Sequence, residues 1–173
     1  GILRVIDSLI FNENQYIVSP VFNEDKSLRP LVESLHNLIG ENLYEIIIVY
    51  HPNSNKDCKD ILNSLSKEYN KLITIAQDLN ETGNGSAYRQ GFNLVKGTHV
   101  LMIDSDGEMD VKTVNLMIPK IISENPDIII GSRYVKGGGM IGYPFHLYIL
   151  NAMFQYIFRI LFMTKIKDLT CGY

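Results

Sequence analysis

Asp104, Asp106 and Glu108 stand at alternate positions directly after the apolar run 100–103, with Asp110 two residues further on. Like charges this close repel one another, and no backbone geometry requires them. A bound cation is the chemistry that would use them. Hard divalent cations take oxygen ligands, and Mg²⁺ commonly binds through one or two carboxylates together with substrate phosphates. An Asp-x-Asp at a strand end meets that need: one carboxylate ligates the metal and its neighbour holds a water or a ribose hydroxyl. Taken alone the motif is short, and a solvated acidic turn is the commoner explanation of it. Asp110 reads differently, as the N-cap or first-turn acid of the next helix.

The elements around the acids decide between those readings. Strand-like apolar runs alternate with amphipathic segments along the chain. "YIVSPVF" predicts a first strand ending near Ser19, and the leucines 28, 31, 35 and 38 predict a helix from about Ser27 to Ile39. Ser27 is its expected N-cap, with Pro30 tolerated in the first turn. "YEIIIVY" suits a strand buried on both faces, and a polar segment with Ile61, Leu62, Leu65 and Tyr69 on one face reads as a second helix. "KLITIA", "HVLMID" and "PDIIIGS" predict three further strands, with helices over 86–96 and 111–123 between them. Gly91 is a weak point in the first of those helices. This alternation implies βαβ units and a mostly parallel sheet. Ligands of such sheets bind outside the carboxyl ends of the strands. That rule gathers "SPVFNE", "VYHPNSN", "IDSDGE" and "GSRY" on one rim.

Size and charge narrow the partners. At 173 residues the chain can bury a core as a single domain. A net charge of −3 without a Lys/Arg cluster argues against nucleic acid. The two cysteines, Cys58 and Cys171, lack metal-ligand spacing and read as free thiols of a reducing compartment. No signal peptide pattern opens the chain. Gly1 in the place of an initiator methionine, and the stop soon after Cys171, predict a piece of a longer protein, truncated at its C-terminus and with residues 1–14 as an N-terminal extension.

Six stretches together resemble a known family. "IVSPVFNE", "YEIIIV", "TGNGSAYRQGF", "VLMIDSDGE", "DIIIGSRY" and "DLTCGY" occur in the order and spacing of the family 2 glycosyltransferases, and among these the chain most resembles dolichol-phosphate mannose synthases and bacterial polyprenyl-phosphate glycosyltransferases. The resemblance runs from about Gln15 to Tyr173. It implies a GT-A fold, an α/β three-layer sandwich around a mostly parallel sheet. It also implies a nucleotide-sugar donor, Mg²⁺ or Mn²⁺, a polyprenyl-phosphate or other glycan acceptor, and inverting transfer in the cytoplasm at the inner face of the membrane.

Carried over by position, Pro20, Phe22 and Glu24 match the family's P-x-Y-N-E of the base and ribose pocket, with Phe22 in place of Tyr. Gly83, Gly85 and Ala87 match the glycine-rich turn that approaches the donor. Asp104, Asp106 and Glu108 match the D-x-D-x-Q metal motif, with Glu108 in place of Gln and Ser105 counted among the donor contacts. Arg133 matches the arginine near the donor phosphates, and Asp168 the acid of D-x-x-S-G-F-R, where Cys171 and Tyr173 replace Ser and Phe. Arg133 and Asp168 are the expected catalytic pair, Asp168 as base if the acceptor is a hydroxyl. One departure stands out. Where the family has Asp-Asp to recognise the base, this chain has Tyr50 and His51. Tyr50 offers stacking and His51 a hydrogen-bond acceptor, so the nucleotide is left open.

The segment 145–164 is the most apolar of the chain and approaches the about 20 residues a membrane span needs. Asn151, Gln155 and Arg159 recur every fourth residue, however, and make one polar stripe of an amphipathic helix. Such a helix lies in a membrane interface or packs against the sheet or a homodimer partner. The resemblance favours the membrane. Two other readings of the whole stay open: a degenerate, non-catalytic glycosyltransferase-like binding domain, and a phosphatase of the D-x-D-G type.

Overall fold

A computed structural model describes residues 15–170, so the predicted extension 1–14 and the motif positions Cys171 and Tyr173 lie outside the described residues. The chain divides into two compact units, meeting in sequence at Glu124 and Asn125.

The first unit is built on four parallel strands. They are β1 (Gln15–Val21), β2 (Leu43–Tyr50), β3 (Leu72–Ala76) and β4 (His99–Met102), in the order β3-β2-β1-β4. Parallel neighbours need crossovers, and these are helices: α1 (Asp25–Ile39), α2 (Lys56–Glu68) and α3 (Asn84–Phe92). A 3₁₀ turn at Val111–Thr113 leads into α4 (Val114–Glu124).

The two middle strands are apolar for a reason. Ile17 and Val18 of β1 and Ile46, Ile47, Ile48 and Val49 of β2 are all buried, as strands covered on both faces must be. Tyr16, Val18, Ile47 and Val49 share one face and pack against Ala87 and Tyr88 of α3. Strand alternation turns Ile17, Ile46 and Ile48 to the opposite face, the side available to the buried leucines of α1 and α2. Gly91 is therefore more than a weak point in a helix. A Cβ there would collide with Val18 Cγ1 and press on Val49 Cγ2 at 3.2 Å. Its missing side chain lets α3 lie close to the sheet.

Several local expectations change. Helix α1 begins at Asp25, capped at Glu24 without a side-chain bond, so Ser27 is not its N-cap and Pro30 sits in the second turn. The Ser27 hydroxyl is used elsewhere, donating to the Ser105 carbonyl at 2.5 Å. Asp110 does cap, accepting the Lys112 N–H at 3.1 Å.

The second unit contains α5 (Phe145–Leu161) and connecting segments. The expected fifth strand, "PDIIIGS", is absent: residues 127–132 carry no ladder pairing. Its apolar run marks strand-like composition, but a strand exists only with a partner, and its own unit has none among the described residues. The polar stripe of α5 is also turned about. Gln155 is fully buried, while Phe145, Leu150, Tyr156, Leu161 and Phe162 on the apolar arc are exposed. No helix among the described residues is long and apolar enough to cross a membrane.

Candidate active site

A cavity of about 380 Å³ opens where all four strands of the first unit end. From β1 come Pro20 and Val21, with Phe22 and Glu24 beyond; from β2, Val49 and His51; from β3, Gln77; from β4, Asp104, Ser105 and Asp106. Gly83, Asn84 and Ala87 close it from the start of α3. Its size is that of a small-ligand site. Its position is the carboxyl rim beside the β1–β4 junction, where the strand order reverses, as open α/β sheets lead one to expect.

The acid turn is fastened on several sides. Ile103 donates its N–H to the Val18 carbonyl at 3.3 Å, which continues the β4 ladder. The Ser105 hydroxyl donates to the Pro20 carbonyl at 2.7 Å, while Ser27 donates back to the Ser105 carbonyl. Asp104 accepts from the Tyr88 hydroxyl at 2.8 Å. Burial, then that hydrogen bond and the charges of Asp104 and Asp106, push the Tyr88 phenol well above its ordinary value, so it stays a donor. Asp106 is exposed and accepts the Glu108 N–H at 2.9 Å. Glu108 is exposed and does not line the cavity. No three His, Cys, Asp or Glu side chains among the described residues are grouped to hold a metal. Two carboxylates at the cavity, Asp104 and Asp106, nevertheless suit a cation that also takes ligand phosphates.

Elsewhere in the lining two residues form an aromatic pair. Phe22 is 49% exposed, and its ring meets His51 edge-on at 5.2 Å and 82°. An open ring is a stacking face that any planar base can use. His51 Nδ1 accepts the Asn53 N–H at 3.1 Å, which leaves Nε2 as the protonated nitrogen of the neutral ring. His51 thus accepts at Nδ1 from its own loop. Tyr50 does not line the cavity, and neither does Gly85. Glu24 turns back to accept the Phe22 N–H at 2.6 Å.

The glycine-rich turn depends on a residue that the sequence did not single out. Gln77, buried just past β3, donates to the Gly83 carbonyl at 2.8 Å and the Glu81 carbonyl at 3.3 Å. Gly83 itself has φ of 98°, a conformation open chiefly to glycine. Asn84 and Tyr88 were likewise missed. Asn84 lies inside the quoted motif, and Tyr88 carries an apolar spacing that reads as core alone.

Arg133 and Asp168 do meet, within the second unit. Arg133 Nε donates to Asp168 Oδ2 at 2.7 Å and a terminal nitrogen to Oδ1 at 2.8 Å, while the Arg133 backbone N–H adds a third bond at 3.1 Å. Gln155 and Thr170 donate to Oδ1 as well. Burial alone would raise the Asp168 carboxyl; the Arg133 hydrogen bonds and charge outweigh it and hold the group below the ordinary carboxylate value. A carboxylate so occupied is a weak base.

Comparison with known proteins agrees with the arrangement. The profile described as Glycosyl transferase family 2 matches residues 16–172. The chain belongs to glycosyl transferase family 2. It is 28% identical over 153 residues to a dolichol-phosphate mannosyltransferase of Pyrococcus furiosus, covering 88% of this chain and 42% of the relative. A polyprenol monophosphomannose synthase of Mycolicibacterium smegmatis is 26% identical over 160 residues, 91% of this chain and 59% of its own length. This family 2 chain thus spans about half the length of the curated relatives it matches. Among solved structures, glucosyl-3-phosphoglycerate synthase of Mycobacterium tuberculosis, crystallised with Mn²⁺, UDP-glucose and phosphoglyceric acid, superposes with a TM-score of 0.55 at 17% identity over 68% of this chain and 42% of that one. S. aureus TarS 1-349 gives 0.55 at 20% identity over 66% and 34%. At those identities the likeness shows the fold alone, and it is the expected GT-A arrangement of a parallel sheet between helices.

Proposed function

We propose that the chain is the catalytic domain of a metal-dependent, inverting glycosyltransferase that moves a sugar from a nucleoside diphosphate to a polyprenyl phosphate. The observation that carries the proposal is the cavity at the strand ends, whose lining combines Asp104 and Asp106 with the Phe22–His51 pair. A nucleotide needs both: a planar face for its base and a counter-charge for its diphosphate. Asp104 and Asp106 would hold Mg²⁺ or Mn²⁺, which supplies Lewis-acid neutralisation of the leaving diphosphate. Phe22 stacks on the base and the braced turn at Gly83 brings backbone close to the donor.

A phosphate acceptor is anionic at neutral pH, so its oxygen can displace the diphosphate directly, with inversion, and no residue need take a proton. The saturated Asp168 fits that chemistry better than a base-dependent attack by a hydroxyl. The exposed apolar arc of α5, with Lys165 and Lys167 just beyond it, is proposed to rest on the anionic membrane surface that holds a lipid acceptor. The domain would then work at the inner face of the membrane.

Incubation with undecaprenyl or dolichyl phosphate, Mn²⁺ and a panel of UDP-, GDP-, CDP- and dTDP-sugars tests the reading. Mass spectrometry should find a polyprenyl-phosphate sugar from one donor class, absent with EDTA, and the NMR couplings of its anomeric proton should show the configuration opposite to the donor's. Absence of product from every donor would favour a binding domain without catalysis.

A further inference from the structure

We infer that Tyr88 is a positioning residue for Asp104, fixing one oxygen of that carboxylate so that the other is left for a cation or a ribose hydroxyl in the cavity. The inference deepens the function proposed above and rests on it.

Three observations carry it. First, the Tyr88 hydroxyl donates to Asp104 Oδ1 at 2.8 Å, the one hydrogen bond this side chain receives among the described residues. Second, the ring behind the hydroxyl is itself immobile. It is only 8% exposed, belongs to the core cluster with Tyr16, Val18, Ile47 and Val49, and leans on Phe92 at 6.0 Å between ring centres. Third, the backbone on both sides of Asp104 is already fixed, by the Ile103 N–H on Val18 and by the two Ser105 bonds. Rotation of the Asp104 side chain is the freedom that remains, and Tyr88 removes it. The same helix supplies Asn84 and Ala87 to the cavity wall. One rigid element thereby sets both the glycine-rich turn and the orientation of the first acid. A carboxylate that must meet a cation in one geometry gains from such preorganisation.

The prediction is specific to one hydroxyl. Tyr88→Phe keeps the packing and loses the bond. In calorimetric titrations of UDP, GDP, CDP and dTDP, with Mn²⁺ and with EDTA, it should raise the Mn²⁺ concentration needed for half-maximal nucleotide binding roughly tenfold, the loss of one hydrogen bond to a charged group. Metal-free nucleotide affinity should stay within about twofold of wild type. Phe92→Leu serves as the packing control, because it disturbs the same ring contact without touching Asp104. It should lower the melting temperature and leave the Mn²⁺ dependence alone. Equal losses with and without Mn²⁺, or a Mn²⁺ shift in Phe92→Leu as large as in Tyr88→Phe, would reduce Tyr88 to a packing residue. A wild type that binds nucleotide with Mn²⁺ while Tyr88→Phe matches it would overturn this inference and leave the proposed function standing. A wild type that shows no Mn²⁺-dependent binding of any diphosphate would overturn both.

Discussion

Asp104 and Asp168 are the same side chain in opposite circumstances. Asp104 sits half-buried at a cavity, with one hydrogen bond from Tyr88. Asp168 is buried and receives bonds from Arg133, Gln155 and Thr170. A carboxylate has roughly four acceptor positions. Asp168 has filled its own with protein donors and has become architecture. Asp104 keeps most of its capacity for something that is not protein. The comparison shows how a motif acid is to be weighed: its unused acceptors, more than its charge, mark it for ligand chemistry.

Arg133→Ala would leave the Asp168 carboxylate buried without its counter-charge, and denaturant unfolding should register a loss of about 3–5 kcal/mol. An apolar replacement of both partners, Arg133→Met with Asp168→Leu, should recover most of that stability. Acid gives a second probe of the same pair. The folded-state value of Asp168 is depressed, so its contribution is fully present above the unfolded value of about 3.9 and disappears as the pH falls through the folded one. The stability gap between wild type and Asp168→Asn should therefore close below about pH 4.

Smaller effects belong to the frame around Asp104. Gly91→Ala forces a methyl into Val18 and should cost about 1–3 kcal/mol in thermal unfolding. Gln77→Leu strips the donors from the Gly83 and Glu81 carbonyls, an expected loss of about 1–2 kcal/mol. It should also weaken nucleotide binding, which Gly91→Ala need not do to the same degree. Least of all, Arg29→Ala removes exposed ion pairs to Glu33 and Glu68 and should leave the melting curve where it was.

The four strands and the helices between them were legible because hydrophobic periodicity reports burial, and β1 and β2 are buried as their composition says, while β3 and β4 are only partly covered. The acid turn was legible for another reason: like charges clustered at a strand end repel one another, and a bound cation would offset that. Three features were hidden. The run 127–132 looks like a strand because its residues are apolar, yet pairing is a property of the partner edge and leaves no mark in the segment itself. The stripe Asn151–Gln155–Arg159 announces an amphipathic helix without saying which side is inward, and the buried Asp168 network drew the polar side in. Tyr88 and Gln77 escaped because each is ordinary in sequence. Only the fold brings a core tyrosine's hydroxyl, or a lone glutamine past a strand, to the rim of a cavity.

The central claim, that the strand-end cavity takes a metal-bound nucleotide through Asp104 and Asp106, is most directly tested by one titration. Wild type and Asp106→Ala would be titrated calorimetrically with UDP, GDP, CDP and dTDP in the presence of Mn²⁺ and again in EDTA. Wild type should bind one diphosphate in a Mn²⁺-dependent manner, and Asp106→Ala should lose that binding at unchanged fold. Equal affinity in the two proteins would contradict the metal assignment at Asp106.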